Sequence, residues 1–85
     1  MEIVFSSNAV DDLQYWKKTR NKKVIERITQ LFDEIKKTPF SGIGKPEALK
    51  HNRSGYWSRR ITREHRLVYK VQGDTITVIQ LRYHY

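Results

Sequence analysis

Three short breaks in the second half of this chain, Arg53-Ser54-Gly55, Arg63-Glu64-His65 and Gln72-Gly73-Asp74, constrain its fold more than any other feature. Gly, Ser and Asp suit tight turns. Connections this short join antiparallel neighbours, because a parallel crossover needs a dozen or more residues. The stretches they bound, 48–52, 56–62, 66–71 and 75–83, are short, and the last three are rich in β-branched and aromatic residues. They are expected to form four strands of an antiparallel meander.

The first half follows a different period. Residues 2–6 place Ile3 and Phe5 on one side and read as a strand. Ser7 or Asn8 suits a helix cap, with Asp11 and Asp12 favoured by the dipole of the first turn. Ala9, Leu13 and Trp16 then recur at helical spacing, predicting a helix over 8–19 with Trp16 in the core. After a polar break at 19–23, Val24, Ile28, Leu31 and Ile35 form one stripe, widened by Phe32, until Thr38-Pro39 ends it. The expectation is a single domain over 1–85 of the α+β class, two N-terminal helices packed on one face of a twisted antiparallel sheet. A chain of 85 residues buries only about 60–65% of the surface that it exposes when unfolded, so its core is modest.

Charge narrows the function. The net charge is +8. Residues 1–44 carry eight basic against six acidic groups, whereas 45–85 carry nine against three. The excess in the second half is mainly arginine: Arg53, Arg59, Arg60, Arg63, Arg66 and Arg82, with tyrosines, a tryptophan and histidines between them. Guanidinium groups bind phosphate bidentately and stack on bases, and aromatic rings add stacking platforms, so a nucleic-acid partner is expected. The lysines at 17, 18, 22 and 23 fit a solvated helix end as well as an RNA contact. There is no cysteine and no apolar run of the roughly 20 residues that span a bilayer, and a soluble cytoplasmic domain is the expectation.

The loop 40–46 holds Gly42 and Gly44 but lacks the Lys-Ser or Lys-Thr of a Walker loop and the three spaced glycines of a dinucleotide fold. Beyond it the chain offers groups for acid-base chemistry. RNA cleavage needs a base for the 2′-hydroxyl, a cation for the phosphorane and an acid for the 5′-oxygen. Glu47, Arg66 and His84 suit these three roles. No cofactor or metal is called for, and His51, His65 and His84 are spaced too widely for a local zinc motif. In the stretch 66–71, Leu67, Tyr69 and Val71 share one side, opposite Arg66, Val68 and Lys70. In the last stretch the apolar pattern changes parity near Val78-Ile79, and a bulge there, or burial on both faces, would account for it. Arg82 and His84 would then face the side that the helices leave as an open basic floor. Composition and spacing leave two readings standing, a cleaving enzyme and a binding-only module.

Four blocks carry a resemblance that covers essentially the whole chain. They are Gly44-Lys45-Pro46-Glu47-Ala48-Leu49-Lys50-His51-Asn52, Ser54-Gly55-Tyr56-Trp57-Ser58-Arg59-Arg60-Ile61, Glu64-His65-Arg66-Leu67-Val68-Tyr69 and the terminal Arg82-Tyr83-His84-Tyr85. In their order they closely resemble the YoeB (Txe) toxins of the RelE superfamily. The resemblance implies a microbial-RNase-like fold and a toxin that cuts mRNA in the ribosomal A site until a YefM-like antitoxin holds it inactive. It implies a homodimer or a toxin-antitoxin heterocomplex. Position by position it puts the family's catalytic glutamate, arginine and histidine on Glu47, Arg66 and His84. Its RNA-binding residues fall on Lys50, Arg60 and the terminal Tyr85. Arg63 departs from the pattern, standing where relatives tend to carry an acid. A non-catalytic RNA- or ribosome-binding repressor of translation is the alternative.

Overall fold

The computed structural model describes residues 1–83. Its elements run β1 (Glu2–Phe5), α1 (Ser7–Thr19), α2 (Lys22–Lys37), β2 (Glu47–Ala48), a 3-10 turn (His51–Arg53), β3 (Trp57–Arg60), β4 (Arg66–Gln72) and β5 (Thr75–Gln80). The strands form one sheet in the order β1-β5-β4-β3-β2. The α+β class and the meander of the second half are as the sequence leads one to expect. The sheet is mixed, however: β1 joins the free edge of β5 in parallel, pairing Ile3 with Ile76 and Phe5 with Val78. The two helices between β1 and the rest of the sheet supply the long crossover that parallel pairing requires.

Ser6, not Ser7 or Asn8, caps α1, its Oγ accepting from the Ala9 N–H at 3.1 Å. With the helix beginning at Ser7, Asp11 and Asp12 fall beyond the first turn, where the dipole gives them little. Asp12 acts elsewhere, as described below. Asn21 caps α2, and the stripe Val24, Ile28, Leu31 and Ile35 is buried throughout. These side chains meet Ala9 and Trp16 from α1 and Leu67, Tyr69, Ile76, Val78 and Leu81 from the sheet in one core. Each fully buried aliphatic side chain contributes about 1.5–3 kcal/mol, so the α2 stripe alone is a large share of what holds so small a domain together.

Of the two explanations for the parity break, a bulge or burial on both faces, the structure has the bulge. Tyr69 pairs with Val78 and Val68 with Gln80, leaving Ile79 as the extra residue on β5. The bulge is anchored from α1: the Ile79 carbonyl accepts from Ser6 Oγ at 3.3 Å and from Asn8 Nδ2 at 3.0 Å. It turns Leu81 into the core and Gln80 to the opposite face. Strand pairing stops at Gln80, so alternation does not extend to Arg82 as the sequence suggested. Instead, the Arg82 guanidinium lies 3.5 Å over the Tyr15 ring of α1 and 4.4 Å from the Tyr83 ring.

Arg59 also departs from expectation. Its side chain shares the core face with Trp57 and Leu67 and is completely buried. Its Nε donates to the Tyr69 hydroxyl at 3.1 Å, Nη1 to the Ile43 carbonyl at 3.0 Å, and Nη2 to the carbonyls of Thr38 at 2.5 Å and Ser41 at 2.8 Å. Tyr69 in turn donates to the Pro39 carbonyl at 2.6 Å. Arg59 is therefore a clamp on the loop between α2 and β2, not a phosphate ligand. Burial pushes the Tyr69 phenol above 10.0, and the hydrogen bond from Arg59 opposes the shift.

Candidate active site

The site is assembled on the sheet face that the helices do not cover. Glu47 pairs with Ser58, Ser58 with Val68, and Val68 with Gln80. Directly paired residues project to the same side. Glu47, Ser58, Val68 and Gln80 therefore form one row across four strands. Two residues further along β3, Arg60 pairs with Arg66 of β4, on the same face again. From strand spacing and rise, the Glu47 and Arg66 Cα atoms are roughly 12 Å apart, and Arg60 lies between them. The centre of this face is not the open floor expected. Ser58, Val68 and Gln80 are buried. Arg53 of the 3-10 turn shares with Gln80, Tyr83, Arg82, Asn8 and Asp12 a cleft of about 400 Å³.

The local backbone explains how Glu47 reaches its place. Gly44 has φ +85°, and its carbonyl accepts from the Arg60 N–H at 2.7 Å. A β-carbon there would stand 2.9 Å from Leu31 Cδ2 and 3.1 Å from Arg59 Cβ. Only glycine allows the loop to pass this close to the core. Lys45 follows with φ +50°. β2 ends at Ala48, and the stretch 48–52 does not continue as a strand. Lys50 is exposed at the start of the 3-10 turn, followed by His51 at φ +60°.

Arg60 and Arg66 are opposite each other on adjacent strands. Like charges in that position destabilise a sheet, which is tolerable where an anion is to lie between them. Arg66 is fixed at the foot of β4, with Nη1 donating to the carbonyls of Thr62 at 3.2 Å, Arg63 at 3.3 Å and His65 at 3.3 Å. Arg60 is exposed, and its carbonyl accepts from Arg27 Nη2 at 3.3 Å.

The chain leaving β5 runs back toward these arginines under close control. The Leu81 N–H donates to Asp12 Oδ2 at 3.0 Å, and its carbonyl accepts from the buried Trp16 Nε1 at 2.8 Å. The Tyr83 carbonyl accepts from the Arg66 N–H at 3.0 Å. The tail is thus tied to the first residue of β4. His84 and Tyr85, assigned by the sequence to acid catalysis and RNA binding, lie outside the described residues. Of the remaining site residues, Glu47, Arg60 and Arg66 come together on one face, while Lys50 flanks β2. Sequence reasoning missed the parts of Asp12, Trp16 and His65, which hold the tail. The indole N–H of Trp16 was the one available signal, since a buried tryptophan needs an acceptor. Among the described residues there is no cluster of His, Cys, Asp or Glu that could hold a metal, and no helix is long and apolar enough to cross a membrane.

Comparison with known proteins identifies the family. The chain is 49% identical to Toxin YoeB of Escherichia coli K12 over 85 residues, the full length of both. Its structure matches the YoeB/ParE toxin from Agrobacterium tumefaciens with a TM-score of 0.95 at 47% identity, covering all of both chains. It matches the YoeB-YefM complex from Staphylococcus aureus with a TM-score of 0.90 at 44% identity, and the YoeB dimer from that organism with 0.91 at 43%, each over 100% of this chain and 98% of the other. Residues 5–85 fit the family of YoeB-like toxins of bacterial type II toxin-antitoxin systems, and the chain belongs to that family.

Proposed function

We propose that this toxin is an endoribonuclease that cuts mRNA in the ribosomal A site. What carries the reading is the arginine pair, Arg60 opposite Arg66, on the face that bears Glu47 and beside a tail anchored to residue 66. In this mechanism Glu47 takes the proton of a 2′-hydroxyl. The 2′-oxygen attacks the adjacent phosphorus, and Arg66 with Arg60 stabilises the charge that gathers on the phosphorane oxygens. His84 gives a proton to the departing 5′-oxygen, leaving a 2′,3′-cyclic phosphate and a new 5′-hydroxyl end. Lys50 and Tyr85 hold the RNA.

The partners follow from charge and from the relatives. A YefM-like antitoxin, acidic and extended, would neutralise the arginine face, and ordering such a segment is favourable against many cations. Free of it, the toxin works as a homodimer on the translating ribosome. Primer extension on a translated mRNA tests the reading. The wild-type protein is expected to leave new 5′ ends inside codons, and Glu47→Ala, Arg66→Ala and His84→Ala are each expected to slow cleavage by about 10²–10⁴-fold while still co-sedimenting with ribosomes. Arrested translation without new ends would instead support a non-catalytic repressor.

A further inference from the structure

Tyr83 is held in an unusual way. Its φ of +67° lies in the left-handed region, which a bulky residue rarely enters and which persists only where the surroundings over-determine it. The groups that do so are at hand. Its N–H donates to His65 Nδ1 at 2.7 Å, and its carbonyl accepts from the Arg66 N–H and from Gln80 Nε2, both at 3.0 Å. A backbone amide can only donate, so Nδ1 of His65 presents its lone pair and the ring proton resides on Nε2. The imidazole is set in turn by Trp16, whose ring meets it edge-on at 4.9 Å and 85°. Trp16 thus supports the tail twice, through its indole bond to the Leu81 carbonyl and through His65 to the Tyr83 amide.

We propose that His65 is a positioning residue for the C-terminal catalytic segment, its Nδ1 fixing the Tyr83 amide and with it the point from which the chain continues to His84. This inference rests on the nuclease reading above and gives His65 no contact with RNA. Its role is that of an acceptor, not of an acid or a base. Asparagine places Oδ1 at the same remove from the backbone as Nδ1 and can take over the bond, whereas leucine fills the space and accepts nothing.

The test compares His65→Leu and His65→Asn with the wild-type protein in two measurements, exchange of the Tyr83 amide followed by NMR and mRNA cleavage on programmed ribosomes. In His65→Leu the amide is expected to exchange at least about 10-fold faster, and kcat to fall by about 10–100-fold with KM little changed. In His65→Asn both return close to the wild-type values. An active His65→Leu enzyme, or a Tyr83 amide that is unprotected in the wild-type protein, overturns the inference. So does a His65→Asn protein with a protected amide and no recovery of kcat, because the imidazole would then be acting on the RNA itself. A wild-type protein that leaves mRNA intact refutes the nuclease reading and the catalytic half of this inference with it. The amide measurement alone judges the clamp.

Discussion

Replacing Arg59 with methionine asks how much of this fold depends on one buried cation. Methionine keeps the aliphatic stem against the core and removes the guanidinium, and with it four hydrogen bonds, to Tyr69, Ile43, Thr38 and Ser41. Bonds to a charged donor are worth about 1.5–3 kcal/mol each, or roughly 6–12 kcal/mol in all. Two terms reduce that figure. Holding a guanidinium away from water carries a penalty of several kcal/mol that the variant escapes. The orphaned carbonyls also belong to exposed residues of the loop, where water can replace the lost donors, and Tyr69 keeps its bond to Pro39. The net loss is about 3 kcal/mol, within the 3–5 kcal/mol expected when one partner is removed from a buried charged network. For a domain of this size, with roughly 4–13 kcal/mol in total, that lowers the melting temperature by about 12–24 °C. Thermal unfolding followed by circular dichroism measures it. Arg59→Lys should lose nearly as much, because one ammonium cannot meet four diverging acceptors. A methionine variant that melts within about 3 °C of wild type refutes the clamp.

Two further perturbations probe the same region. Gly44→Ala forces a β-carbon to 2.9 Å from Leu31 at a positive φ, and is expected to cost about 2–3 kcal/mol in urea unfolding and, on the nuclease reading, to slow mRNA cleavage, since Glu47 follows three residues later. Tyr69 gives the alkaline limb of stability its shape. Its folded pKa is raised by burial above the unfolded 10.0, so its contribution is complete below pH 10 and is lost as pH rises through the folded value. Tyr69→Phe should be less stable at pH 7, through the lost bonds to Pro39 and Arg59, yet show a flatter decline above pH 10 in unfolding titrations.

Where the chain follows local rules, the fold was legible. The α2 stripe, the turns and the bulge at Ile79 all leave a periodic trace, and the bulge is visible because one extra residue exchanges the two faces of a strand. The parallel pairing of β1 leaves none. It depends on β5 returning after some seventy residues, and nothing in residues 2–5 encodes the direction of that neighbour. The end of β2 at Ala48 was hidden for a similar reason, because Leu49 is apolar and buried while the backbone has already turned toward the 3-10 segment. Arg59 is a different case. Trp57 and Ile61 flank it at two-residue spacing, which puts it in a core-facing row, but the weight of positive charge in the second half drew it into the basic surface. Alternation is the stronger signal there, since register decides a side chain's face before its charge can.

The site divides along the same line. Glu47, Arg60 and Arg66 share a face by strand register, a short-range property of the meander, and the alternation of 66–71 already sets Arg66 on the side opposite Leu67 and Tyr69. The tail depends on long-range contacts, from α1 and its cap to residues 79 and 81 and from His65 to Tyr83. Ser6 and Asn8 hold the bulge, Asp12 and Trp16 hold Leu81, and His65 holds Tyr83. α1 is therefore more than a cover for the sheet. One side of it packs in the core through Ala9 and Trp16, and its polar atoms carry the exit of the chain toward Arg66. Asp12 illustrates the division. It lies beyond the turn where the helix dipole would reward it, and its carboxylate instead receives a backbone amide that has no strand partner. A residue that is a poor choice for its own helix becomes intelligible as part of the tail's support. Such support resists small displacements of the segment leading to His84 and adds little to the hydrophobic core. On the nuclease reading, Asp12→Ala should accordingly slow mRNA cleavage in the primer-extension assay by about 10-fold or more while lowering the melting temperature by only a few degrees, and unchanged cleavage would count against this support.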